Sequence, residues 1–168
     1  MSSFDHSVDE PASTLDLGIR KLHHAGISTL DIDRLIAFYV ETFGFEQVSE
    51  LSWDAGSDDI DAALALEDSS ARMAMLRLGG IHLELFEFAN PRSDPRDRES
   101  AVSDLGINHL CFVVDDLDVV TSRLEEKGVV VHATPRDVGD GPFVYCRDPD
   151  GNAIELWQLP PTNPEEKT

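Results

Sequence analysis

The sequence predicts an α+β fold of two paired βαβββ modules, because two stretches of the chain each occur twice. The stretch LHHAGISTLDID aligns with INHLCFVVDDLD, which pairs His24 with His109. The stretch GIHLELF aligns with GNAIELW, which pairs Glu84 with Glu155. Similar segments that recur in the same order indicate an internal duplication, in which each copy is one supersecondary unit.

Each copy predicts the same order of elements. A short apolar strand that carries a His comes first, and an Asp follows as the expected N-cap of an amphipathic helix. Gly44 and Gly128 are the expected ends of the two helices, as glycines often are. The first copy is longer by a polar connection over 54–70. Three extended segments follow each helix: FEQVSELSW, ARMAMLRL and IHLELFEF in the first copy, and VVVHA, PFVYCRD and AIELWQL in the second.

The composition along the chain predicts the domain boundaries. We expect the first module over residues 20–90 and the second over 106–159, joined by a linker over 91–105 that is rich in Pro, Arg and Asp. An acidic N-terminal segment (1–19) and a short tail (160–168) are polar and are expected to be disordered.

The charge balance excludes two classes of partner. The chain has 33 Asp and Glu against 13 Lys and Arg, a net charge of −20, which repels nucleic acid and anionic membranes. No apolar run reaches the roughly 20 residues of a membrane span, and the N-terminus has no signal-peptide pattern. We therefore expect a cytoplasmic protein, in which Cys111 and Cys146 are reduced and buried. Such dense carboxylates also fit a salt-adapted protein.

Four residues recur in equivalent places and are the candidate metal ligands. His24 and His109 lie on the first strand of each copy, and Glu84 and Glu155 lie on the last. A carboxylate among large apolar neighbours is costly to bury unless it is paired or binds a metal. If the two copies pack with these faces inward, two imidazoles and two carboxylates converge, a set that suits Zn, Ni, Co, Mn or Fe.

The other histidines have no histidine at the matching place in the other copy. A single strand His is usually polar surface or a satisfied core group, so repetition in register is what favours the ligand interpretation. We expect His23 to point away from His24 and to be incidental. His82 shares a face with Glu84 but is expected to be an ordinary strand residue, and Cys111 alternates in phase with His109.

Four motifs carry a family resemblance that covers residues 20–159. They are HHAGISTLDIDRLIAFYVETFGFE, GGIHLELFEF, GINHLCFVVDDLD and DPDGNAIELWQ. The chain resembles the vicinal oxygen chelate superfamily, which includes glyoxalase I, methylmalonyl-CoA epimerase, extradiol dioxygenases and bleomycin resistance proteins. The resemblance implies curled sheets around a metal-binding cleft, a small-molecule substrate and a homodimer. It implies the same four ligands: His24, Glu84, His109 and Glu155.

The resemblance also implies a class of chemistry. A Glu at position 84 resembles the glyoxalase I-like isomerases, which move a proton next to a carbonyl while the metal acts as a Lewis acid. On that basis Glu155 is the expected base and Glu84 a ligand or second base, with the exchanged roles left open. One alternative is an Fe(II) extradiol-type dioxygenase, for which His82 and Tyr145 are candidate helpers. Another is a metal-free drug-binding resistance protein.

Overall fold

A computed structural model describes residues 18–95 and 100–160 of the chain. The disorder expected over 1–19 and 160–168 therefore falls almost wholly outside the described residues. Within them, the first copy contains β1 (His24–Ser28), α1 (Ile32–Phe43), β2 (Glu46–Trp53), α2 (Asp58–Leu64), β3 (Ser70–Leu78) and β4 (Ile81–Asn90). The second contains β5 (His109–Val113), α3 (Leu117–Glu126), β6 (Arg136–Asp137), β7 (Pro142–Arg147) and β8 (Ala153–Trp157).

Each copy folds into one four-stranded sheet with the same topology. The strand order is β1-β4-β3-β2 in the first sheet and β5-β8-β7-β6 in the second. The first strand of each copy runs parallel to the last, and the remaining pairs are antiparallel. The predicted α+β class with two βαβββ modules is therefore confirmed, and each copy places its His-bearing strand beside its Glu-bearing strand.

The helix ends follow the predicted chemistry. The Asp31 carboxylate accepts from the backbone N–H of Arg34 at 3.0 Å, and the Asp116 carboxylate accepts from that of Val119 at 2.9 Å. Each interaction satisfies one of the backbone donors that the first helical turn leaves without a partner. Gly44 ends α1 in the left-handed region at φ 74°, a conformation that a residue without a Cβ adopts at little cost.

Strand alternation decides which side chains enter the two cores. Leu83 and Leu85 of β4 are buried, as are Ile154 and Leu156 of β8. Because successive side chains of a strand point to opposite faces, the glutamate between each buried pair projects from the other face of its sheet. The helices pack with the following buried residues: Ile32, Leu35 and Tyr39 in α1, and Leu117, Thr121 and Leu124 in α3.

Two local predictions differ from the structure. The segment VVVHA was expected to be a strand, but of its residues only Val131 forms a bridge, with Cys146, and the paired strand is β6. Pro135 intervenes and has no backbone N–H to give to a ladder, so regular pairing resumes only after it. The polar connection over 54–70 contains a short helix, α2, whose first turn carries acidic residues that its N-terminal dipole favours.

The described residues form two compact units. One contains His23–Leu105 together with the turn Asp148–Asn152, and the other contains Gly106–Arg147 with 153–160 and the short stretch 18–22. A turn from the second copy therefore has most of its contacts with the first copy's residues. The helices of the described ranges have 12, 7 and 10 residues, and none is long and apolar enough to cross a membrane.

Candidate metal centre

The first copy brings its two predicted ligands together. In the parallel pairing of β1 with β4, His24 lies opposite His82, and Gly26 lies opposite Glu84. The His24 imidazole reaches along the sheet, and its Nε2 lies 3.3 Å from Glu84 Oε2. The two side chains are 39% and 19% exposed, so a ligand can reach both from solvent.

The second copy repeats this arrangement. His109 Nε2 lies 3.1 Å from Glu155 Oε2, and the two side chains are 32% and 18% exposed. Ala153 takes the place opposite His109, and Cys111 takes the place opposite Glu155. The strands that carry the glutamates, β4 and β8, differ in length and sequence. Both copies nevertheless have the same contact between a ring nitrogen and a carboxylate oxygen.

The four predicted ligands occur as two pairs, each within its own compact unit. Across residues 18–95 and 100–160, no three His, Cys, Asp or Glu side chains form a group that could hold a metal ion. The distances bring each His to the Glu of its own copy's last strand. The prediction that all four bind one cation remains a proposal.

The surroundings of the two glutamates differ. Cys111 and Tyr145 flank Glu155 on the neighbouring strands, whereas Gly26 and Met75 flank Glu84. Although Cys111 is an exposed residue, partial desolvation of its thiol raises the pKa to about 12, and interaction with the Glu155 carboxylate adds to the increase. The pKa of Tyr145 is also raised, first by burial and then by the charge and hydrogen bond of Glu155.

Both pKa shifts favour the protonated side chain, so a thiol and a phenol hydroxyl lie on the strands beside the Glu155 carboxylate. Both cysteines are free thiols, as expected, and Cys146 is buried, but the expectation that Cys111 is buried is wrong. Its position on the exposed, ligand-bearing face of β5 follows from its alternation in phase with His109.

The residue before each candidate histidine contacts the ring's second nitrogen. His23 Nδ1 lies 2.9 Å from His24 Nδ1, and Asn108 Oδ1 lies 2.6 Å from His109 Nδ1. The expectation that His23 points away from His24 is therefore wrong. The His23 ring stacks on His82, with 4.6 Å between ring centroids and 9° between planes, and this stacking turns His23 towards its neighbour.

Sequence reasoning missed His23 and Asn108 as members of the site. The signal was present, since both residues directly precede a candidate ligand and fall on each other when the two copies are aligned. A search for identical residues in the two copies does not find this signal, because position 23 is a His and position 108 is an Asn. The His23 ring nitrogen and the Asn108 amide oxygen nevertheless contact the Nδ1 atoms of equivalent histidines.

Known proteins resemble this chain over most of its length. A family model described as the Glyoxalase/Bleomycin resistance protein/Dioxygenase superfamily matches residues 21–156. The uncharacterized protein YaeR of Escherichia coli K12 is 32% identical over 143 residues, which are 84% of this chain and 98% of YaeR. Lactoylglutathione lyase of Schizosaccharomyces pombe is 28% identical over 166 residues, which are 92% of this chain but 52% of the lyase.

A solved structure of a glyoxalase family protein from Bacillus cereus has the same fold. It superposes with a TM-score of 0.77 over 88% of this chain and 99% of its own, at 21% identity.

Proposed function

Because the chain belongs to the Glyoxalase/Bleomycin resistance protein/Dioxygenase superfamily, we propose that it is a metal-dependent isomerase, epimerase or lyase. It moves a proton next to a carbonyl of a small oxygenated substrate. His24, Glu84, His109 and Glu155 bind one divalent cation, for which Zn, Ni, Co, Mn and Fe are the candidates. We also propose that the protein works as a homodimer in the cytoplasm.

The spacing within each His–Glu pair is the observation that carries this proposal. Ligand atoms about 2.0–2.2 Å from a metal, at angles of about 90–110°, lie about 2.8–3.6 Å from one another. The separations of 3.3 Å and 3.1 Å between Nε2 and Oε2 fall in this range. An imidazole nitrogen beside a carboxylate is also a donor set that borderline first-row cations prefer. Each pair thus fits one edge of a coordination shell.

The residues around Glu155 support a division of work between the two glutamates. The four residues would hold the cation, which would supply Lewis-acid stabilisation of negative charge on the substrate oxygen. Glu155 would loosen from the cation to take the proton from the adjacent carbon and would then return the proton. Its neighbours on the adjacent strands, Cys111 and Tyr145, place a thiol and a phenol hydroxyl beside the carboxylate, and we propose that these groups position it for proton transfer. Glu84 has no such neighbours on the adjacent strands and acts as a ligand.

The name of one relative supports the proposed substrate class. A match named lactoylglutathione lyase supports a small carbonyl compound with a neighbouring oxygen. The first experiment is elemental analysis of the purified protein after loading with each candidate metal. The second follows deuterium uptake from D₂O, by NMR, at the carbon next to the carbonyl in a panel of α-hydroxy and α-keto compounds that includes lactoylglutathione. Metal binding with exchange supports the proposal.

Other outcomes overturn it. A protein that binds none of the metals and catalyses no exchange is a metal-free binding protein. Exchange without a bound metal would contradict the metal dependence. A protein that binds Fe(II) and consumes O₂ with a catechol, measured with an oxygen electrode, is a dioxygenase.

Matched variants test the roles of the two glutamates. We expect Glu155→Gln to keep the metal and to lose about 10²–10⁴-fold in exchange rate, the contribution typical of a positioned base. Glu84→Gln retains an oxygen ligand and is expected to lose less. If Glu84→Gln loses more activity than Glu155→Gln, Glu84 is the base and Glu155 the ligand. Full activity in both variants contradicts base catalysis by either glutamate.

A further inference from the structure

We propose that His23 and Asn108 are positioning residues that hold His24 and His109 in the tautomer with the proton on Nδ1. This proposal rests on the proposed function, since it concerns how the candidate ligands are prepared for a cation. In that tautomer the lone pair is on Nε2, the atom that lies beside a carboxylate in each pair. An imidazole binds a metal through an unprotonated nitrogen, and the hydrogen bond of its other nitrogen decides which one is available.

The contact in the second copy determines the donor directly. Asn108 presents its Oδ1 to His109 Nδ1 at 2.6 Å. An amide oxygen only accepts, so the ring nitrogen that faces it carries the proton. The other nitrogen of a neutral ring then has the lone pair, and it lies 3.1 Å from Glu155 Oε2. Two acceptors at that distance repel each other unless a cation or a proton lies between them.

The contact in the first copy allows the same tautomer with a different side chain. Two ring nitrogens 2.9 Å apart form one hydrogen bond, in which one of them donates. When His24 Nδ1 donates, His23 Nδ1 accepts, and His24 Nε2 is left to face Glu84. The stacking of His23 on His82, at 4.6 Å and 9°, fixes the plane of the accepting ring.

The duplication gives the two contacts independent weight. Positions 23 and 108 are equivalent in the two copies, yet one holds an imidazole and the other an amide. If these contacts arose only because the residues are neighbours, the two different side chains need not contact the same atom, Nδ1, of the two equivalent rings. A shared requirement for a partner on Nδ1 accounts for both contacts.

The test measures histidine tautomers in the full chain without metal, by ¹H–¹⁵N NMR in alkaline buffer. Without metal, the partner on Nδ1 and the carboxylate beside Nε2 compete for the proton of each neutral ring, and we expect the tautomer with the proton on Nδ1 to be populated for both His24 and His109. Asn108→Leu removes the acceptor and is expected to shift His109 towards the tautomer with the proton on Nε2 while His24 stays unchanged. Asn108→Asp keeps an acceptor and is expected to retain the wild-type tautomer.

Matched variants of the first copy complete the design. His23→Phe keeps a ring that stacks on His82 but removes the nitrogen, and it is expected to release the tautomer of His24 alone. His23→Asn places the second copy's residue at position 23, and it is expected to retain the wild-type tautomer of His24. Loss of either partner is expected to weaken the binding of Zn²⁺ about 10–100-fold, measured by competition with a chelator.

The outcomes separate the two proposals. An unchanged tautomer in Asn108→Leu and His23→Phe overturns the positioning role, even if the wild-type protein binds metal. A wild-type protein that binds no metal overturns the proposed function, while the metal-free NMR measurement still decides the tautomer assignment.

Discussion

Asp148 is a buried carboxylate whose surroundings control its charge. The Tyr39 hydroxyl donates to its Oδ2 at 3.0 Å, and the backbone N–H groups of Asp150 and Asn152 donate to Oδ1, each at 2.9 Å. Burial raises the pKa of Asp148 above its ordinary value of 3.8, although these hydrogen bonds and that of the Asn152 side chain act in the opposite direction. Burial costs the charged form more than the donors return.

A pKa that is raised in the folded state makes the free energy of unfolding fall as the pH rises. The contribution of Asp148 is fully present below its unfolded pKa and is lost as the pH rises through its folded pKa. Above its folded pKa, Asp148 is ionised and depends on its donors. In that pH range we expect Tyr39→Phe to lower the free energy of unfolding by about 1.5–3 kcal/mol, the range for a hydrogen bond to a charged group. The loss should shrink as the pH falls through the raised pKa of Asp148 towards 3.8.

Urea denaturation at a series of pH values measures this loss. The control repeats Tyr39→Phe in an Asp148→Asn background, where its cost should no longer vary with pH, because a double-mutant cycle isolates the pair. An equal cost at all pH values in both backgrounds would mean that the two groups are not coupled.

At this scale the sequence predicts some contacts and not others. The four candidate ligands could be chosen from the sequence because the same residue types recur in both copies, whereas their contacts as two His–Glu pairs came from the structure. The bond from Tyr39 to Asp148 joins residues 109 positions apart, and nothing in local spacing indicates it. The contacts of His23 and Asn108 were hidden because chemically different side chains occupy the equivalent places.

At the scale of elements, each copy ties the start of its helix to the end of its last strand. The backbone N–H of Ile32 donates to Glu87 Oε2 at 3.0 Å, and that of Leu117 donates to Gln158 Oε1 at 2.7 Å. Glu87 and Gln158 each come three residues after a candidate ligand. In both copies these hydrogen bonds hold the helix N-terminus against the strand that carries the glutamate. They therefore fix the position of that strand relative to the helix.

The N-caps of these helices can be tested separately from the site. We expect Asp116→Ala to lower the free energy of unfolding by about 0.5–2 kcal/mol, because the backbone N–H of Val119 loses its acceptor. Asp115→Ala removes the same charge one residue earlier and outside α3, and a surface change of this kind is usually within about 0.5 kcal/mol. Urea denaturation of both variants gives the comparison. Equal effects would mean that the lost charge matters and the cap does not.

The elements that the sequence predicted have several agreeing local signals, and those it missed have few. Both long helices were predictable because apolar spacing, an N-cap and a terminal glycine all agree for each. The short helix α2 was missed because seven residues give little periodicity, and none of them is buried. The segment VVVHA was overpredicted because its β-branched residues favour a strand, while Pro135 and the single bridge at Val131 determine how far pairing extends.

At the scale of the whole molecule, the excess of carboxylates over basic residues dominates the surface. Arg72 pairs with both Asp33 and Glu50, and Arg77 pairs with Glu46. These pairs are exposed, and such pairs contribute little because water and salt screen them. A net charge of −20 leaves most of the remaining acidic groups to repel one another across the surface. Repulsion of this kind raises the free energy of the compact state.

Salt should therefore stabilise this protein, because it screens the net repulsion more than it weakens a few exposed pairs. The Debye length falls from about 10 Å at 0.1 M to about 3 Å at 1 M. We expect the Tm of the metal-free protein to rise by several degrees between 0.05 and 1 M NaCl at pH 7.5, measured by calorimetry. At a pH near the isoelectric point of about 4.3, where the net charge vanishes, the same salt series should have little effect. A Tm that falls with NaCl at pH 7.5 would mean that specific ion pairs outweigh the repulsion.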